Sequence, residues 1–331
     1  MKAIVWTKYG SPDGLHLQEV AKPAIKDHEL LIKVHATTVT AGDTEVRQLK
    51  FPVWLWVPMR LWLGLIQPRS KILGQELSGE VEAVGQAVTD FKPGDAVFGT
   101  TGIGFGAYAE YIRLPAESSE GVLGLKPANM SYEEAAAVPV AGLEALHYLR
   151  KGALQPGQKV LIVGAGGSIG TYGVQLAKYF GAEVTGVDSG PKLDMLRAIG
   201  ADHVIDYTRE DFTRNGETYD VIFDVIGGSV YGRSLRSLKP NGRYLLANPK
   251  LSQMVRGLWA SLTSSKRVIF GAVSQKPEDL AFLRELIEAG DLKAIIDRCY
   301  PLEQTAEAHR YVDSGQKQGN VVISVVQDSP A

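Results

Sequence analysis

The sequence is poor in cysteine, because Cys299 is the only one among 331 residues. A lone thiol excludes a disulfide within the chain and a zinc site built from several cysteines. The first residues, MKAIVWTKYGSPDG, also lack the apolar core of about 7 to 15 residues that a secretory signal needs. We therefore expect a cytoplasmic protein.

The sequence also lacks a charge excess and a long apolar run. Its 35 Lys and Arg residues nearly balance 37 Asp and Glu residues, so the formal net charge is −2. This balance does not favour nucleic acid as a partner. The apolar segment FPVWLWVPMRLWLGLI, residues 51–66, contains Pro52, Pro58 and Arg60 and is shorter than the roughly 20 residues of a spanning helix. It predicts an apolar lobe without a membrane span, and the alternative is contact with a membrane surface.

The pattern of residue types changes near residue 131. The first 124 residues are short alternating runs separated by Gly, Pro and Asp, which is typical of β-strands. Ser131 and Glu134 then stand at capping-box spacing before a helical pattern. Further on, apolar runs alternate with the predicted helices 168–180, 191–199, 229–237 and 251–264. The predicted strands are KVLIV, EVTGV, HVID, YDVIFDV, GRYLLAN and RVIFGAV.

This alternation predicts an α/β fold with a doubly wound parallel sheet, because parallel neighbours need a crossover that can hold a helix. We assign residues 125–275 to a dinucleotide-binding domain. Residues 1–124 and 276–331 form a second, β-rich and discontinuous domain. Its last strand, NVVISVV, is expected to pair back with the N-terminal strands.

The stretch KVLIVGAGGSIG, residues 159–170, ends the first of these strands in a glycine-rich turn. The usual dinucleotide spacing requires glycine at the sixth position of the turn, where this chain has Ile169. Glycines spaced by three predict instead a turn one residue longer, whose amides face a pyrophosphate at the helix N-terminus. The predicted cofactor-binding residues of the turn are Gly164, Gly167, Ser168, Ile169 and Gly170.

Two features that follow the next strand compete over the choice between NAD(H) and NADP(H). Asp188 stands near the usual distance of about 20 residues from the turn, where a carboxylate binds the ribose hydroxyls of NAD. Lys192, with Ser189 and Tyr207 nearby, suits a 2′-phosphate, and the alternative for Lys192 is a solvated helix residue. The rigid position of Asp188 at a strand end gives a slight preference for NAD(H).

The sequence resembles the medium-chain dehydrogenase/reductase superfamily, in particular its zinc-free quinone oxidoreductase and enone reductase branch. The matching stretches are LGQELSGEVEAVG, FKPGDAVFG, GAYAEYI, EEAAAVPVAGLEAL, the glycine turn and LRAIGADHVIDY. The resemblance covers nearly the whole chain. It implies a GroES-like catalytic domain and a Rossmann domain, with nicotinamide bound in the cleft.

The chain departs from the zinc-dependent members of this superfamily. It has Gln75 where they carry a His and Thr40 where they carry a Cys, and it lacks their four-cysteine lobe. Since amide and hydroxyl groups are poor zinc ligands, we expect no catalytic zinc. Glu144 is a further departure, at a position where relatives commonly have a small hydroxyl residue.

Without a metal, the substrate itself must carry the charge that hydride addition places on oxygen. Quinones and α,β-unsaturated carbonyl compounds do so, and the protein then supplies alignment and hydrogen-bond donors. The resemblance makes Thr40 and Asp43 the candidate catalytic residues, and the alternative for them is a loop hydroxyl and a helix-capping carboxylate. The tryptophans of residues 51–66 suit a pocket for a flat or apolar substrate, or simply packing.

We therefore predict a zinc-independent, NAD(P)H-dependent oxidoreductase that transfers hydride to quinones or α,β-unsaturated carbonyl compounds. The alternatives are an alcohol or carbonyl dehydrogenase, and a nucleotide-binding regulatory protein without turnover. We also predict a homodimer joined through RVIFGAV, residues 267–273, because an apolar edge strand invites pairing.

Overall fold

The computed structural model describes residues 1–51, 53–69, 71–117, 121–227 and 231–326. The chain forms two compact units. The first consists of Met1–Val140 with Gln275–Ala331, and the second of Ala141–Ser274.

The N-terminal segment of the first unit is rich in strands but also contains helices. Its strands are β1 (Lys2–Trp6), β2 (Leu15–Glu19), β3 (Glu29–Thr38), β4 (Glu76–Val84), β5 (Ala96–Thr100), β6 (Tyr111–Pro115) and β7 (Val122–Leu125). Its helices are α1 (Ala41–Gln48), α2 (Val53–Leu63) and α3 (Tyr132–Ala136). Helix α2 is the apolar segment that the sequence assigns to a lobe, and α3 begins at the predicted capping box of Ser131 and Glu134.

The second unit alternates strands and helices. After α4 (Pro139–Lys151), which crosses the division, come β8 (Lys159–Val163), α5 (Ser168–Tyr179), β9 (Glu183–Asp188), α6 (Leu193–Ala198), β10 (His203–Asp206), β11 (Tyr219–Asp224), α7 (Tyr231–Ser234), β12 (Leu238–Leu246), α8 (Leu251–Thr263) and β13 (Arg267–Ile269). The strands form one parallel sheet in the order β10-β9-β8-β11-β12-β13. This order confirms the predicted doubly wound sheet. Its direction of progression reverses between β8 and β11, where such sheets bind ligands.

Two predicted elements of this unit are shorter in the structure. Strand β13 ends at Ile269 instead of residue 273, because Gly271 adopts φ +146 and leaves the extended conformation. The predicted helix 229–237 is observed as α7 followed by a tighter turn over Leu235–Ser237. Residues 229 and 230 lie outside the described residues.

The C-terminal segment returns to the first unit. It consists of α9 (Pro277–Ala289), β14 (Ile296–Pro301), α10 (Thr305–Asp313) and β15 (Asn320–Ser324). Strand β15 pairs antiparallel with β3, with Val322 opposite Thr38, which confirms the predicted pairing of the last strand. The resulting sheet has the order β14-β15-β3-β4-β5-β7, and β6 also pairs with β3.

The observed division at 140/141 differs from the predicted boundary at 124/125. Strand β7 pairs with β5, and α3 packs against β3 and β4, so residues beyond 124 continue the core of the first unit. The second break, at 274/275, lies one residue before the predicted one. No helix among the described residues is long and apolar enough to cross a bilayer.

Candidate functional site

The glycine turn joins β8 to α5 at the point where the sheet order reverses. Gly164 adopts φ +81, and a Cβ atom there would lie 2.6 Å from Cγ1 of Ile226. A Cβ atom on Gly170 would lie 2.2 Å from the carbonyl oxygen of Gly164, so only glycine lets the helix start this close to the turn. Gly167 is the N-cap of α5 and provides no side-chain cap. The amides of the first helical turn can therefore serve an external anion such as a pyrophosphate.

Gly166 has a role in this turn that the spacing by three does not reveal. Its amide donates a hydrogen bond of 2.8 Å to Oδ2 of Asp188. A Cβ atom at this position would lie 2.5 Å from Cδ of Lys192. The glycine thus allows Asp188 and Lys192 to pack directly against the turn. The usual dinucleotide spacing, which includes position 166, is the sequence signal that could have identified it.

The residues that compete over cofactor choice form a single cluster. Nζ of Lys192 lies 3.2 Å from Oδ1 of Asp188, and the two side chains are only 11% and 8% exposed. The amide of Ser189 donates to the same Oδ1 atom at 2.8 Å. Tyr207 follows β10, its amide donates to the carbonyl of Asp188 at 3.2 Å, and its side chain is exposed. Both carboxylate oxygens of Asp188 are therefore engaged within the fold.

Asp224, at the end of β11, is a buried residue of this region that the sequence did not single out. Its Oδ1 atom accepts hydrogen bonds from the amides of Ile226 and Gly227 at 3.1 and 3.0 Å. Its Oδ2 atom accepts one from the hydroxyl of Tyr244 at 2.9 Å. Asp224 thereby holds the loop that places Ile226 against Gly164. An acid at the end of an apolar strand is the only sequence signal for this role.

In the first unit, Thr40 and Asp43 form the capping box of α1. The amide of Thr40 donates to Oδ2 of Asp43 at 3.0 Å, and the amide of Asp43 donates to the Thr40 hydroxyl oxygen at 3.0 Å. The Thr40 hydroxyl lies 2.7 Å from Oδ2 of Asp43 and 3.2 Å from Oε1 of Gln75. The structure thus brings together the two positions, 40 and 75, at which zinc-dependent relatives have ligands. It also shows that the capping alternative for Asp43 is a real structural role.

Asp43 is completely buried, and burial raises the pKa of its carboxyl group to about 6. The hydrogen bonds that Oδ2 of Asp43 accepts from Thr40 lower the pKa of Asp43 and offset part of this effect, and the proximity of the Gly74 amide and the Tyr108 hydroxyl acts in the same direction. Oδ1 of Asp43 has no hydrogen-bond partner among the described residues. The carboxyl group is therefore able to change its protonation state near neutral pH.

A buried polar line connects this carboxyl group to the C-terminal helix α10. Tyr108 and His309 are fully buried, and the Tyr108 hydroxyl lies 3.2 Å from Nε2 of His309. Nδ1 of His309 accepts a hydrogen bond of 3.2 Å from Nε of the buried Arg47. Arg47 in turn forms an ion pair of 2.5 Å with Asp313. We call the buried residues Asp43, Tyr108, His309 and Arg47, together with the partly exposed Asp313 at their end, the buried line.

The contacts of His309 within the buried line determine its tautomer and its protonation state. Nε of Arg47 can only donate, so Nδ1 of His309 must be unprotonated and the proton of the neutral ring sits on Nε2. Burial and the charge of Arg47 lower the pKa of His309 to about 3, so the ring is neutral at physiological pH. Nε2 of His309 then donates to the hydroxyl oxygen of Tyr108. The hydroxyl proton of Tyr108 is left to point elsewhere, and Asp43 lies beside it.

Glu76 is a second buried acid that the sequence did not single out. Its Oε1 atom accepts a short hydrogen bond from the Thr38 hydroxyl, and Oε2 accepts one of 2.8 Å from the amide of Val140. Burial and the neighbouring Asp43 raise the pKa of Glu76 to about 7, against the hydrogen bonds from Thr38 and Val140. An acid inside the buried strand β4 was the available signal.

The side chains present do not fit a catalytic zinc. The zinc-ligand positions hold an amide and a hydroxyl whose oxygen atoms lie 3.2 Å apart, and neither group is a strong zinc ligand. Within the described ranges, no group of three His, Cys, Asp or Glu residues is placed to hold a metal ion.

Glu144 is partly buried one helical turn before Tyr148, and burial together with this carboxylate raises the pKa of Tyr148 to about 12.

The apolar segment forms a helix whose large side chains are partly in solvent. Trp56 and Trp62 are both exposed, and the Trp62 ring lies 6.2 Å from that of Phe105. The guanidinium of Arg60 lies over the ring of Tyr9. The Trp54 side chain lies outside the described part of the chain. A role in packing at the lobe surface accounts for these contacts.

Comparison with known proteins gives matches along the whole chain. Residues 26–123 match the family model of the alcohol dehydrogenase GroES-like domain, and residues 199–323 match that of zinc-binding dehydrogenases. The chain is 32% identical to the 2-methylene-furan-3-one reductase of Solanum lycopersicum over 98% of its own length and 79% of that protein. It is 30% identical, with the same coverage, to the chloroplastic NADPH-dependent alkenal/one oxidoreductase of Arabidopsis thaliana. The solved quinone oxidoreductase of Coxiella burnetii has a TM-score of 0.87 and 29% identity, covering 98% of this chain and 99% of that one.

Proposed function

Since the chain belongs to the medium-chain dehydrogenase/reductase superfamily, we propose that it transfers hydride from a reduced nicotinamide dinucleotide to quinones or α,β-unsaturated carbonyl compounds without a catalytic zinc. The named relatives reduce enones, alkenals or quinones, which supports this substrate class. The substrate is a small molecule, and a flat or apolar one fits the chemistry best.

The single observation that carries the proposal is the pairing of Thr40 with Gln75 at 3.2 Å. A simple carbonyl needs a Lewis acid to accept the charge that hydride addition places on its oxygen. This amide and hydroxyl pair offers only hydrogen bonds. A conjugated acceptor spreads the charge over an enolate or phenolate, so hydrogen bonding is sufficient.

We propose that the Thr40 hydroxyl donates a hydrogen bond to the substrate oxygen on which charge develops. Its own oxygen is anchored by the amide of Asp43, and its proton can turn from the Asp43 carboxylate to a substrate oxygen. Asp43 is thus a positioning residue that keeps the hydroxyl in place. When bound, the reduced nicotinamide would supply the hydride, and the one proton that completes the reduction would come from water, directly or through the Thr40 hydroxyl, which water then reprotonates.

The test is a substrate panel combined with metal analysis. We expect oxidation of NADPH or NADH with quinones and enones, no stoichiometric metal in the purified protein, and no loss of activity on chelation. Zinc at one per chain with activity lost on chelation would overturn the proposal. Oxidation of primary or secondary alcohols as the main activity would favour a simple alcohol dehydrogenase. Tight cofactor binding without turnover across the panel would favour a regulatory protein.

The role of Thr40 is tested by Thr40→Val against Thr40→Ser. Serine keeps the hydroxyl and the cap, whereas valine removes both, so we expect Thr40→Val to lower kcat by about a hundredfold and Thr40→Ser to retain most activity. Ser131→Ala is the matched control, because it removes the capping hydroxyl of α3 in the same unit. Its effect is expected on stability alone, about 1 kcal/mol. An equal loss of kcat in Ser131→Ala would assign the effect of Thr40→Val to folding.

We propose NADPH as the preferred hydride donor, in place of the slight preference for NAD(H) that the sequence suggests. The charge of Asp188 is balanced by Lys192, and its carboxylate is bound to the amides of Gly166 and Ser189, so it is already committed within the fold. Lys192, Ser189 and Tyr207 then provide an ammonium donor and hydroxyl groups for a 2′-phosphate, and the repulsion that an unpaired Asp188 would exert on the phosphate is removed. The NADPH-dependent relative in Arabidopsis thaliana supports this choice.

We also propose a cytoplasmic homodimer. Strand β13 is the last strand of the parallel sheet, and in the described part of the chain it pairs only with β12, so its outer edge is available to a second copy. A monomer mass in solution at micromolar concentration would contradict the dimer. Cys299 lies exposed as a free thiol, which suits a reducing compartment, although relatives are named as chloroplastic or mitochondrial.

A further inference from the structure

Gln75 extends from a backbone segment that is held on both sides. Its carbonyl oxygen accepts a hydrogen bond of 2.8 Å from the amide of Thr101. The preceding Gly74 adopts φ +100, and a Cβ atom there would lie 2.7 Å from Cδ1 of the buried Tyr108. The chain therefore packs directly on the buried line at this point, and the base of the Gln75 side chain is fixed.

The oxygen end of the Gln75 amide is turned towards the start of α1. Oε1 lies 3.2 Å from the hydroxyl oxygen of Thr40, which is the N-cap of this helix. A Cβ atom on Gly42, the second residue of α1, would lie 2.7 Å from the same Oε1 atom. Glycine at position 42 thus leaves room for the amide oxygen, and Nε2 is the end of the amide that is turned away from the helix.

Nε2 of Gln75 is the group of this cluster that is not engaged within the fold. In the described part of the chain it donates to no acceptor, and unlike Oδ1 of Asp43 it is open to solvent. A primary amide carries two N–H donors. These donors lie beside the Thr40 hydroxyl, which the proposed function assigns to the substrate oxygen.

We propose that Gln75 is a second catalytic residue, whose Nε2 group donates a hydrogen bond to the same substrate oxygen as the Thr40 hydroxyl. The inference rests on the proposed function and adds an oxyanion site to it. The two groups stand at the positions where zinc-dependent relatives have ligands, and because they are in contact they can converge on one oxygen atom. Preorganised donors stabilise the charge that develops in the transition state. Two neutral donors suit an enolate or phenolate, since its charge is already delocalised.

The first experiment replaces the amide by groups of similar size. Gln75→Met removes both donors, and Gln75→Glu replaces them by a carboxylate that repels the developing charge. We expect kcat with a quinone and with an enone to fall by about a hundredfold in Gln75→Met and further in Gln75→Glu, with little change in KM. Gln86→Glu is the matched control, because it introduces the same charge at an exposed position of the first unit and should keep the native kcat.

The pH dependence separates a donor from a merely structural residue. A protonated glutamic acid carries one O–H donor, whereas a glutamate can only accept. The deficit of Gln75→Glu relative to the native chain at the same pH should therefore shrink as pH is lowered from about 8 to about 5, and that of Gln75→Met should stay constant. A deficit of Gln75→Glu that is equal across this range would overturn the role of Gln75 as a donor.

Gly42→Ala displaces the amide without removing it. The new Cβ atom meets the far end of the Gln75 side chain, so the amide moves while the backbone keeps its place. Alanine favours a helix more than glycine does, so thermal unfolding should not begin earlier, whereas kcat should fall by about tenfold. Gly232→Ala, whose Cβ atom would meet nothing within 4 Å, should keep the native kcat.

A double variant shows whether Gly42 acts through Gln75. In the Gln75→Ala background there is no amide to displace, so Gly42→Ala should cause no further loss of kcat. A full additional loss would assign the effect to α1 itself and would overturn the link between the two residues.

The native chain separates this inference from the proposed function. If it reduces quinones or enones and both Gln75→Met and Gln75→Glu do so with the native kcat, the second donor is wrong and the proposed function stands. If the native chain reduces neither, the proposed function fails and this inference fails with it. Circular dichroism and NADPH fluorescence titration should match the native chain in every variant, because the residues proposed to bind the cofactor lie in the second unit.

Discussion

Asp43 in the first unit and Asp188 in the second are both buried carboxylates that accept a hydrogen bond from a backbone amide near the start of a helix. They differ in what balances their charge. Lys192 lies 3.2 Å from Asp188, whereas in the described part of the chain no basic side chain forms an ion pair with Asp43. The basic group in the buried line, Arg47, is paired with Asp313 instead.

This difference separates a carboxylate that is held in an ion pair from one that is held by hydrogen bonds alone. A cation at contact distance compensates the charge of Asp188 beside the glycine turn. Without such a cation, burial raises the pKa of Asp43 to about 6, against the hydrogen bonds from Thr40.

The largest loss of stability is expected in the first unit, from replacing Arg47, the cation of the buried line. Arg47→Met leaves Nδ1 of His309, the carbonyl of Gly10 and Oδ2 of Asp313 without the donor they share, so we expect the free energy of unfolding to fall by about 3 to 5 kcal/mol. Urea unfolding measures the change. Arg310→Met is the control, because Arg310 also pairs with an aspartate but is half exposed, and it should cost less than about 1 kcal/mol. Similar losses in both variants would contradict a buried role for Arg47.

Asp43→Asn tests whether the carboxyl group of Asp43, which forms no ion pair among the described residues, titrates in the folded protein. Because the pKa of Asp43 rises from 3.8 to about 6 on folding, its contribution to stability is complete below pH 4 and is lost as pH rises to about 6. This loss amounts to roughly 3 kcal/mol. The asparagine variant keeps the cap without titrating, so the difference between native and variant stability should change across this range. Urea unfolding from pH 4 to pH 7 measures it.

The control for this pH dependence is Asp194→Asn, which alters an almost fully exposed carboxylate. Its stability profile should follow that of the native chain. A flat difference between native and Asp43→Asn at all pH values would show that Asp43 is charged throughout and would contradict the raised pKa.

Gly170→Ala probes the rigidity of the second region. The new Cβ atom would meet the backbone of Gly164 and Ala165, so the start of α5 must move. We expect a loss of about 2 kcal/mol in stability together with weaker NADPH binding. Thermal unfolding and NADPH fluorescence titration provide the two readouts. Gly232→Ala, whose Cβ atom would meet nothing within 4 Å, should leave both unchanged.

The smallest effect is expected from replacing Lys192, the cation that pairs with Asp188 and has no counterpart beside Asp43. Lys192→Met should lower the ratio of kcat/KM for NADPH over NADH by about tenfold, because the 2′-phosphate loses its charged partner. Arg209→Met, which removes an exposed cation paired with Asp206 after the neighbouring strand, should leave the ratio unchanged. A ratio that stays constant in Lys192→Met would return the choice of cofactor to Asp188.

Local features of this chain were readable from the sequence. The parallel sheet, the glycine turn and the cap at Ser131 each depend on residues a few positions apart, so their periodicity and spacing were sufficient. The pair of positions 40 and 75 came from the family resemblance, and the structure places them side by side. Helix α1 was missed in a region dominated by strand patterns, although a helix-capping carboxylate was the alternative given for Asp43.

The contacts between distant segments were decided only by the tertiary structure. The sequence by itself determined which groups are available and which elements carry them, because hydrophobic periodicity and turn chemistry act locally. It could not show that Arg47, Tyr108 and His309 meet in one buried line, that Asp188 is paired with Lys192, or that the apolar side of α8 faces outward. Burial and charge pairing set a pKa and the exposure of a helix face, and both depend on neighbours that folding brings from elsewhere in the chain.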